Sequence, residues 1–427
     1  MDETVLLVGG GGREHAIARA LQDTTLYACA GNRNPGIAAI ASGFETLDET
    51  DPTAVRDYAR SVDATLAIIG PEAPLQAGVV NELEEAGIYA FGPRAEDARI
   101  ETDKAFQREF MAEHDIPGRP EFAVFDDVDA ACEYLDAVDG DVAVKPRGLT
   151  GGKGVRVTGD QLSKSAAKTY VRDSEYEEWV IEERLVGEEF TIQALVANGD
   201  IRVTPAVQDH KRAFEGDEGP NTGGMGSYSA PEDTLPFMTR NEYDEAVEIL
   251  QETVASLPTY RGVLYGQFML TADGPKVVEF NARFGDPEAM NTLPVLETPL
   301  LDVLVAARDE KPLPELSFDS KATVCKYAVP RGYPTDPESG AKVTVSESNV
   351  GDAILFYASV DAREDGVYAT TSRSFAVVGL GDSIEEAESI ADGALSDVGE
   401  GFRIRHDIGK PELIEQRIEH MDEIRSP

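Results

Sequence analysis

The sequence predicts a multidomain chain that is α/β over its first part and α+β over the remainder. Residues 1–103 alternate short apolar strands with helical segments, which is the pattern of βαβ units around a parallel sheet. Farther along, apolar runs flank Asn198-Gly199 and Asp273-Gly274, and such two-residue turns are typical of β-hairpins. From about residue 325 strands dominate, and a helical segment at 384–397 follows them.

The composition is strongly acidic, with 80 Asp and Glu against 38 Lys and Arg and a net charge of −42. Nucleic acids and membranes are bound by basic surfaces, so this balance argues against both partners. The acids are spread along the chain, and a uniformly acidic surface suits a cytoplasm of high salt, in which charge repulsion is screened. We therefore predict a halophilic protein, with an ordinary acidic protein as the alternative.

The sequence predicts a cytoplasmic location. No basic residue precedes the first apolar run, unlike in a secretory signal, and no apolar run approaches the length of a membrane span. Cys29, Cys132 and Cys325 are odd in number, far apart and without metal-binding spacing, which is typical of reduced intracellular thiols.

Polar loops are expected at the carboxyl edge of the N-terminal sheet, where ligands of parallel sheets bind. They read GGGGREH at 9–15, GNRN at 31–34 and GPEAP at 70–74. The first does not fit a dinucleotide fingerprint, because Glu14 or His15 stands where the third glycine is required. Its backbone N–H groups at a helix start favour an anion such as a sugar phosphate, and a tight turn without a ligand is an equal alternative.

Two stretches in the middle of the chain suit a nucleoside triphosphate. The loop RGLTGGKG at 147–154 follows Lys145 but lacks P-loop spacing, so we predict a glycine-rich hairpin that closes over phosphates; a mobile surface hairpin is the alternative. In IEERLVGEE at 181–189, an extended segment would present its backbone to an adenine and a carboxylate to a ribose. A solvated acidic strand end is the default alternative there.

The strand VVEFN and the turn ARFGDPE after it carry the metal prediction. Alternation along the strand places Glu279 and Asn281 on one face, with Val278 and Phe280 on the other. A carboxylate and an amide oxygen are hard ligands of the kind that Mg²⁺ takes, whereas an edge strand with a solvated face is the alternative. The loop at 208–226 is long for an unstructured connection, so we expect it to be functional, with disorder as the alternative.

Five motifs follow one another along the chain: GGGGREH, GPEAPL, KPRGLTGGKGV, DHKRAFEGDEGPNTGGMG and VVEFNARFGDPE. In this order they resemble the phosphoribosylamine–glycine ligase family of the ATP-grasp superfamily. The resemblance implies an ATP-grasp fold with an N-terminal parallel-sheet (Rossmann-like) domain, a small lid domain and a C-terminal α+β domain. The implied segments are the N-terminal domain at 1–103, a helical linker at 104–124, the lid at 125–190, a central metal-binding subdomain at 191–324 and the C-terminal domain at 325–427.

The resemblance also implies a reaction. ATP would phosphorylate the carboxylate of glycine, and phosphoribosylamine would capture the glycyl phosphate to give glycinamide ribonucleotide, ADP and phosphate in purine biosynthesis. It implies Mg²⁺ or Mn²⁺ as the metal, small-molecule partners only, and a monomer, with a weak homodimer as the alternative. Another ATP-grasp ligase of purine metabolism and a non-catalytic nucleotide-binding regulator are the rival functions.

Roles of individual residues follow from the same resemblance. The expected metal ligands are Gln267, Glu279 and Asn281. The expected catalytic residues are Arg283, Asp286 and Lys145. The expected ATP-binding residues are Lys104, Lys145, Gly151, Gly152, Lys153, Gly154, Glu182, Glu183, Leu185, Glu188 and Glu189. The expected substrate-binding residues are Gly10, Gly12, Arg13, Glu14, Pro71, Glu72, Asp209, Lys211, Pro220, Asn221, Thr222, Gly223, Gly224, Met225, Gly226, Arg283 and Asp286.

Two stretches depart from the pattern of the family. Arg147 stands where many relatives carry an acid or a small residue, which leaves the charge of the lid open. The stretch TTSRSF at 370–375 lacks the glycine pair that commonly follows the threonine, so the C-terminal part matches less closely.

Overall fold

Four larger β-sheets and two small ones organise the part of the chain that the computed structural model describes, residues 3–149, 154–396 and 398–426. Elements of all four larger sheets, or the loops that join them, reach one common cavity. Within the described residues, no helix combines the length and the apolar character that crossing a membrane requires.

The N-terminal sheet is parallel, as predicted. Its strands are β1 Thr4–Val8, β2 Thr25–Ala30, β3 Gly43–Thr46, β4 Leu66–Ile69 and β5 Tyr89–Phe91. They lie in the order β3–β2–β1–β4–β5, so the loops after β1 and β4 are neighbours at the carboxyl edge. A Cβ on Gly9 would lie only 2.7 Å from Pro71 Cδ. The pattern did not predict β3, because this short edge strand has no buried residue to set a period.

Short helices cover this sheet and lead out of it. They are α1 Gly12–Ala20, α2 Pro35–Ile40, α3 Pro52–Ser61, α4 Glu72–Gln76, α5 Val79–Glu85, α6 Arg99–Thr102 and α7 Lys104–Glu113. The carboxylate of Asp103 accepts a hydrogen bond from the Phe106 N–H at 3.1 Å and so caps α7. This cap fixes Lys104 as the first residue of the helix.

The lid is an antiparallel sheet with the strands β6 Phe122–Phe125, β7 Val142–Pro146, β8 Arg156–Val157 and β9 Trp179–Glu183, and with the helices α8 Val128–Ala137 and α9 Lys164–Asp173. Its strand order is β6–β9–β7–β8. Trp179, Ile181 and Val144 are fully buried in an apolar cluster of its own. Gly151, Gly152 and Lys153 of the predicted lid loop lie outside the described residues.

A buried ion cluster joins the lid to the neighbouring sheet. Arg108 on α7 donates to both carboxylate oxygens of Glu182, at 2.7 and 3.1 Å, and Lys145 Nζ lies 2.7 Å from the same carboxylate. Arg108 also donates to the carbonyls of Val277 and Val278 at 3.0 and 2.7 Å. Although burial opposes the charge of Glu182, Arg108 and Lys145 lower its pKa to about 2. The lid strands and the central hairpin are therefore held together through ionised groups.

The central sheet contains β10 Glu188–Ala197, β11 Asp200–Val203, β16 Gly262–Thr271 and β17 Gly274–Asn281, in the order β11–β10–β16–β17. Both predicted hairpin turns are present, with Asn198 and Gly199 at positive φ and Gly274 at φ 90°. A bulge interrupts β17, because Gln267 pairs with Glu279 whereas Phe268 pairs with Val277. Val278 is the extra residue.

The bulge corrects one expectation from simple alternation. Val277, rather than Val278, shares the buried core with Phe280. The carbonyl of the bulged Val278 instead accepts hydrogen bonds from Arg108 and Lys145. The backbone of the strand therefore supplies hydrogen-bond acceptors to two buried cations, and the side chain of Glu279 still points away from the core.

The largest sheet combines the loop at 208–226 with C-terminal strands. Its strands are β12 Gln208–Asp209, β15 Gly226–Ser229, β18 Ala322–Pro330, β20 Ile354–Tyr357, β23 Phe375–Gly381 and β24 Phe402–Arg403. Its main order is β12–β15–β18–β23–β20, and β24 pairs with β18. A small hairpin of β13 Arg212–Phe214 and β14 Glu218–Asn221 fills the loop between β12 and β15. The loop is thus ordered by strand pairing on both sides.

The remaining elements complete the C-terminal half. They are α10 Arg240–Ala255, α11 Glu288–Thr292, α12 Leu300–Arg308, α13 Ile384–Ala394, α14 Pro411–Arg425, the 3₁₀ turns Glu215–Asp217 and Leu293–Val295, and a small sheet of β19 Lys342–Val343, β21 Val360–Arg363 and β22 Gly366–Ala369. Strands β6, β10 and β18 run across the predicted boundaries near 124, 190 and 324. The division into segments stays a prediction.

Replacing Glu182 by Gln should destabilise the fold. The change leaves Arg108 and Lys145 buried without their counter-charge, which costs about 3–5 kcal/mol of unfolding free energy at neutral pH. Because the pKa of Glu182 is lowered from 4.5 to about 2, its ion pairs stabilise the wild type fully above pH 4.5 and lose their effect as the pH falls toward 2. The difference between wild type and variant should therefore shrink across that interval.

Urea unfolding at a series of pH values measures this difference. Glu183→Gln is the matched control, because Glu183 is the next residue and its side chain is exposed. A difference that stays constant from pH 6 to pH 3, or an equal loss in Glu183→Gln, would contradict the role given to the ion cluster.

Candidate functional site

One cavity of about 340 Å³ lies between the N-terminal loops, the lid, the central hairpin and the largest sheet. Charged side chains dominate its wall, which suits chemistry between anionic groups. Its lining residues are Arg13, Glu72, Glu101, Lys104, Gln107, Leu149, Val155, Asp209, Lys211, Thr222, Gly223, Tyr265, Glu279, Asn281, Arg283, Asp286, Glu288 and Arg373.

Glu279 is the carboxylate around which the positive charge of the cavity is gathered. It shares the cavity with Asn281, whose Nδ2 lies 3.4 Å from Glu279 Oε1. Burial opposes the charge of Glu279, but Lys211, Lys145 and Lys104 hold its pKa below the usual value. The carboxylate is therefore ionised at neutral pH and able to serve as an oxygen ligand.

Lys211 approaches Glu279 from the loop after β12. Its Nζ donates to Gln267 Oε1 at 2.5 Å, and Gln267 Nε2 donates in turn to Glu189 Oε2 at 2.7 Å. Although burial opposes its charge, Glu279 and Asp209 keep the pKa of Lys211 above the usual value. The side chain of Gln267 is thus oriented on both sides, and its oxygen faces a lysine.

The other two lysines differ in where their ammonium groups lie. Lys104 Nζ lines the cavity and donates to the Gly148 carbonyl at 2.7 Å, at the beginning of the lid loop. Burial lowers the pKa of Lys104. Lys145 Nζ lies against Glu182 and donates to the Val278 carbonyl at 3.2 Å, behind the cavity wall. Only Lys104 of this pair faces the cavity directly.

Arg283 enters the cavity from the turn after β17. Its guanidinium lies 3.0 Å from Glu101 and 3.6 Å from Glu72, and Nη2 donates to Asn281 Oδ1 at 3.4 Å. Despite burial, Glu101 and Glu72 raise its pKa, so Arg283 is permanently charged. Its buried Nε makes no hydrogen bond within the described residues. This Nε instead faces Glu72 Oε2 at 3.6 Å.

Asp286 is held from the C-terminal part of the chain. Tyr327 Oη donates to Asp286 Oδ1 at 2.7 Å, and Arg373 Nη1 lies 3.3 Å from the same oxygen. Arg373 also donates to the carbonyls of Gly223 and Gly224 at 2.7 and 3.0 Å, and it stacks on the Tyr327 ring at 4.5 Å. The turn with Asp286 and the loop with Gly223 and Gly224 therefore meet at one guanidinium.

Sequence reasoning missed Arg373 as a residue of the cavity. The stretch that contains it, TTSRSF, stood out only as a departure from the family pattern. Arg373 reaches the cavity because it lies two residues before β23, which is paired with β18, while β18 is paired with β15 after the glycine loop. A local pattern carries no signal for such long-range pairing. Glu101 was missed for the same reason. Tyr265, which pairs with Asn281 in the predicted hairpin, and Glu288, in the predicted polar turn, were given no role although they lie beside predicted residues.

The predicted loop at 208–226 divides between two cavities. Asp209, Lys211, Thr222 and Gly223 line the central one, whereas Pro220 and Asn221 line a separate cavity of about 510 Å³ beside Arg156 and Arg212. Met225 and Gly226 are buried within or beside β15. Asp209 Oδ1 has no hydrogen-bond partner within the described residues, and burial, with Glu288 nearby, raises the pKa of Asp209.

The predicted adenine and ribose residues lie around the connection from β9 to β10. Glu183 is exposed and Leu185 is half-buried, while Val186 between the strands is 53% exposed. Glu188 and Glu189 point to opposite faces of β10. Glu189 contacts Gln267 on the cavity side, and Glu188 contacts α14. Gly154 of the lid is buried, and its carbonyl accepts a hydrogen bond from Tyr170 at 2.8 Å.

The glycine-rich loop after β1 is shaped by Glu14. Its carboxylate accepts a hydrogen bond from the Gly11 N–H at 2.7 Å and so caps α1 from within the helix. A Cβ on Gly70 would lie 2.1 Å from Glu14 Oε1, so the two predicted loops pack around this side chain. Arg13 donates to Glu14 at 2.6 Å and to the Phe284 carbonyl at 3.0 Å, and it carries a positive charge into the cavity.

The oxygen donors beside Glu279 fit a hard divalent cation in part. Glu279 offers an ionised carboxylate, whereas the amide oxygens of Asn281 and Gln267 accept hydrogen bonds from Arg283 and Lys211. Within the described residues, no group of three or more His, Cys, Asp or Glu could hold a metal alone. The carboxylate of Glu279 and the amide oxygens beside it match Mg²⁺, because proteins bind this ion with one or two side chains together with substrate phosphates.

Family models cover most of the chain. Models of phosphoribosylglycinamide synthetase match it in order: the N domain at residues 3–101, the ATP-grasp (A) domain at 102–289 and the C domain at 323–411. These matches support the order of domains that the motifs implied.

Full-length relatives and a solved structure agree with these models. The phosphoribosylamine–glycine ligase of Methanopyrus kandleri is 50% identical over 444 residues, and that of Methanocella arvoryzae is 51% identical over 433; each alignment covers 99% of both chains. The crystal structure of phosphoribosylamine–glycine ligase from Thermotoga maritima superposes with a TM-score of 0.81 at 25% identity, covering 95% of this chain and 100% of that one. The resemblance and the predicted ATP-grasp fold are confirmed, and the chain belongs to the phosphoribosylglycinamide synthetase family.

Proposed function

We propose that the chain joins glycine to phosphoribosylamine with ATP, through glycyl phosphate, in purine biosynthesis. The observation that carries the proposal is the cavity in which ionised Glu279, three nearby lysines and the turn with Arg283 and Asp286 meet. The lysines and Arg283 would attract both the phosphate of a nucleotide and the carboxylate of an amino acid. The relatives at about half identity over the full chain carry the same activity in their names.

The nucleotide would enter from the lid side of the cavity. Lys104 stands at its wall and would contact the phosphates. The segment with Glu182, Glu183 and Leu185 would hold the adenine. Lys145, behind the wall, contributes its positive charge to the field at Glu279. Glu189 is the better candidate for the ribose, because it lies on the cavity face of β10 whereas Glu188 faces away.

Mg²⁺, or Mn²⁺ in its place, would be held by Glu279 and Asn281, with Gln267 as a further oxygen donor if it released Lys211. When bound, such an ion neutralises the charge of the phosphates during transfer. Lys211, beside these ligands, adds a fixed positive charge from the protein.

Glycine would bind in the turn after β17. The guanidinium of Arg283, whose Nε makes no hydrogen bond within the described residues and lies 3.6 Å from Glu72, would bind the carboxylate, and Asp286, held by Tyr327 and Arg373, offers an acceptor for the amine. A carboxylate oxygen would attack the γ-phosphorus as ADP leaves, so two anions must be brought together among cations. Burial of the cavity protects the acyl phosphate from water.

Phosphoribosylamine would occupy the side of the cavity near the N-terminal loops. Arg13 and Glu72 line that side, and Gly10, Gly12 and Pro71 belong to the same edge of the sheet. Its amine would attack the acyl carbon, and the phosphate would leave with the oxygen that came from glycine. The product is an amide, and the proton lost by the amine passes to the departing phosphate or to water.

The direct test is an assay of phosphate release in molar salt with ATP, Mg²⁺, glycine and freshly made phosphoribosylamine. We expect release only when all four are present, because each substrate supplies one reacting group. Release that ignores glycine would favour another ATP-grasp ligase, and nucleotide binding without any release would favour the regulator.

Replacing Glu279 by Gln should abolish turnover while the fold stays intact. The amide keeps the shape but removes the charge that would hold the metal, so we expect a loss of at least about 100-fold in kcat. Steady-state kinetics and circular dichroism measure the two properties. Asp273→Asn, at the exposed tip of the same hairpin, is the control and should retain activity. Normal activity in Glu279→Gln would remove Glu279 from the metal site.

We further propose that the protein works in a salt-rich cytoplasm as a monomer. The acidic side chains that give the net charge of −42 repel one another within the fold. Salt at about 1 M shortens the screening length to roughly 3 Å and so weakens this repulsion. Activity and fold should therefore be lost well below molar KCl, as measured by the same assay and by light scattering. Full stability at low salt would contradict the halophilic interpretation, and a scattering mass near twice 46.1 kDa would contradict the monomer.

A further inference from the structure

The last helix of the described chain, α14, contacts the first residue of β10. Glu188 is 4% exposed, and its Oε1 lies 2.6 Å from His420 Nδ1 on α14. Its Oε2 lies 3.2 Å from Arg417 Nε and accepts a hydrogen bond from Gln208 at 3.3 Å. Both oxygens are therefore engaged on the side of the strand that faces away from the cavity.

Glu189, the next residue of β10, points to the opposite face of the strand. Successive side chains of a strand lie on opposite faces, so fixing Glu188 also fixes the direction of Glu189. Glu189 Oε2 accepts a hydrogen bond from Gln267 Nε2 at 2.7 Å, and Gln267 pairs in register with Glu279. Glu188, which contacts α14, is thus directly followed in the sequence by Glu189, which contacts Gln267 on the side of the site.

Arg417 is itself anchored, so it forms a rigid support. Its guanidinium also pairs with Asp217, which Arg405 holds at 2.7 Å. Burial opposes the charge of Arg417, but Glu188 and Asp217 raise its pKa. If the buried carboxylate of Glu188 lost its ion pair with Arg417, it would have to move toward water or take up a proton.

We propose that Arg417 and His420 position the start of β10 for nucleotide binding. They are positioning residues, because they act through Glu188 on Glu189 and on the connection at 184–187 and touch no substrate. This inference rests on the nucleotide side of the proposed function. Loss of either contact should weaken the binding of ATP and ADP and leave the glycine side, which is built on β17 and its turn, unaffected.

Calorimetric titration of the full chain with ADP and Mg²⁺ tests the inference without turnover. We expect Arg417→Gln and His420→Gln to weaken ADP binding, by about tenfold for Arg417→Gln, because an ion pair to the buried carboxylate of Glu188 is lost. Arg417→Lys, which keeps the charge, should recover part of the affinity. In the phosphate-release assay, KM for ATP should rise while KM for glycine stays within about twofold of the wild type.

Arg425→Gln is the matched control. Arg425 lies on the same helix but contacts Glu242 and the Phe237 carbonyl, far along the chain from β10, at 2.8–2.9 Å. It should cost stability without changing ADP affinity, and thermal unfolding of all variants measures that cost. If Arg417→Gln does not fold, His420→Gln carries the test.

Unchanged ADP affinity in the folded Arg417 and His420 variants, or an equal loss in Arg425→Gln, would overturn the inference. A parallel rise in KM for glycine would do the same, because it would show a general structural effect. A wild type that binds ADP but ignores glycine would overturn the ligase assignment alone, and the comparison of ADP affinities would still decide the role of α14. A wild type that binds no ADP would overturn both.

Discussion

The charge of Glu279 is the constraint on which the site depends. A half-buried carboxylate stays ionised when cations lie around it, and Lys211, Lys145 and Lys104 supply that charge from three separate elements. Each lysine in turn needs an acceptor: Gln267, the Val278 carbonyl and the Gly148 carbonyl. The bulge in β17 and the beginning of the lid loop are thus coupled to one carboxylate, and the reacting anions enter a field that the fold has already built.

The same logic explains how the separate sheets form one site. Arg108 and Lys145 tie the lid to the central hairpin through Glu182, and Arg373 ties the C-terminal sheet to the glycine loop and to Asp286. These contacts involve charged side chains and join elements distant in sequence. The conformation of the turn after β17 therefore depends on the C-terminal strands as much as on the turn itself.

Much of this could be predicted from local patterns. The period of two along VVEFN gave Glu279 and Asn281 a common face, and the alternation of strands and helices predicted the parallel sheet with its loops at one edge. The bulge at Val278 could not be predicted, because the groups that bind its carbonyl, Arg108 and Lys145, come from elements distant in sequence. The position of Arg373 at the cavity depends on which distant strand packs beside it, and the different contacts of Glu188 and Glu189 depend on a distant helix. A single sequence carries no local signal for either.

The central claim is that the cavity brings a glycine carboxylate to the γ-phosphate of ATP. It is tested most directly by running the complete reaction with glycine labelled with ¹⁸O in both carboxylate oxygens and measuring the mass of the released phosphate. We expect each phosphate to carry one ¹⁸O and the amide carbonyl of the product to keep the other, because the bond from carbon to the transferred oxygen breaks in the second step. Phosphate free of ¹⁸O would contradict glycyl phosphate as the intermediate.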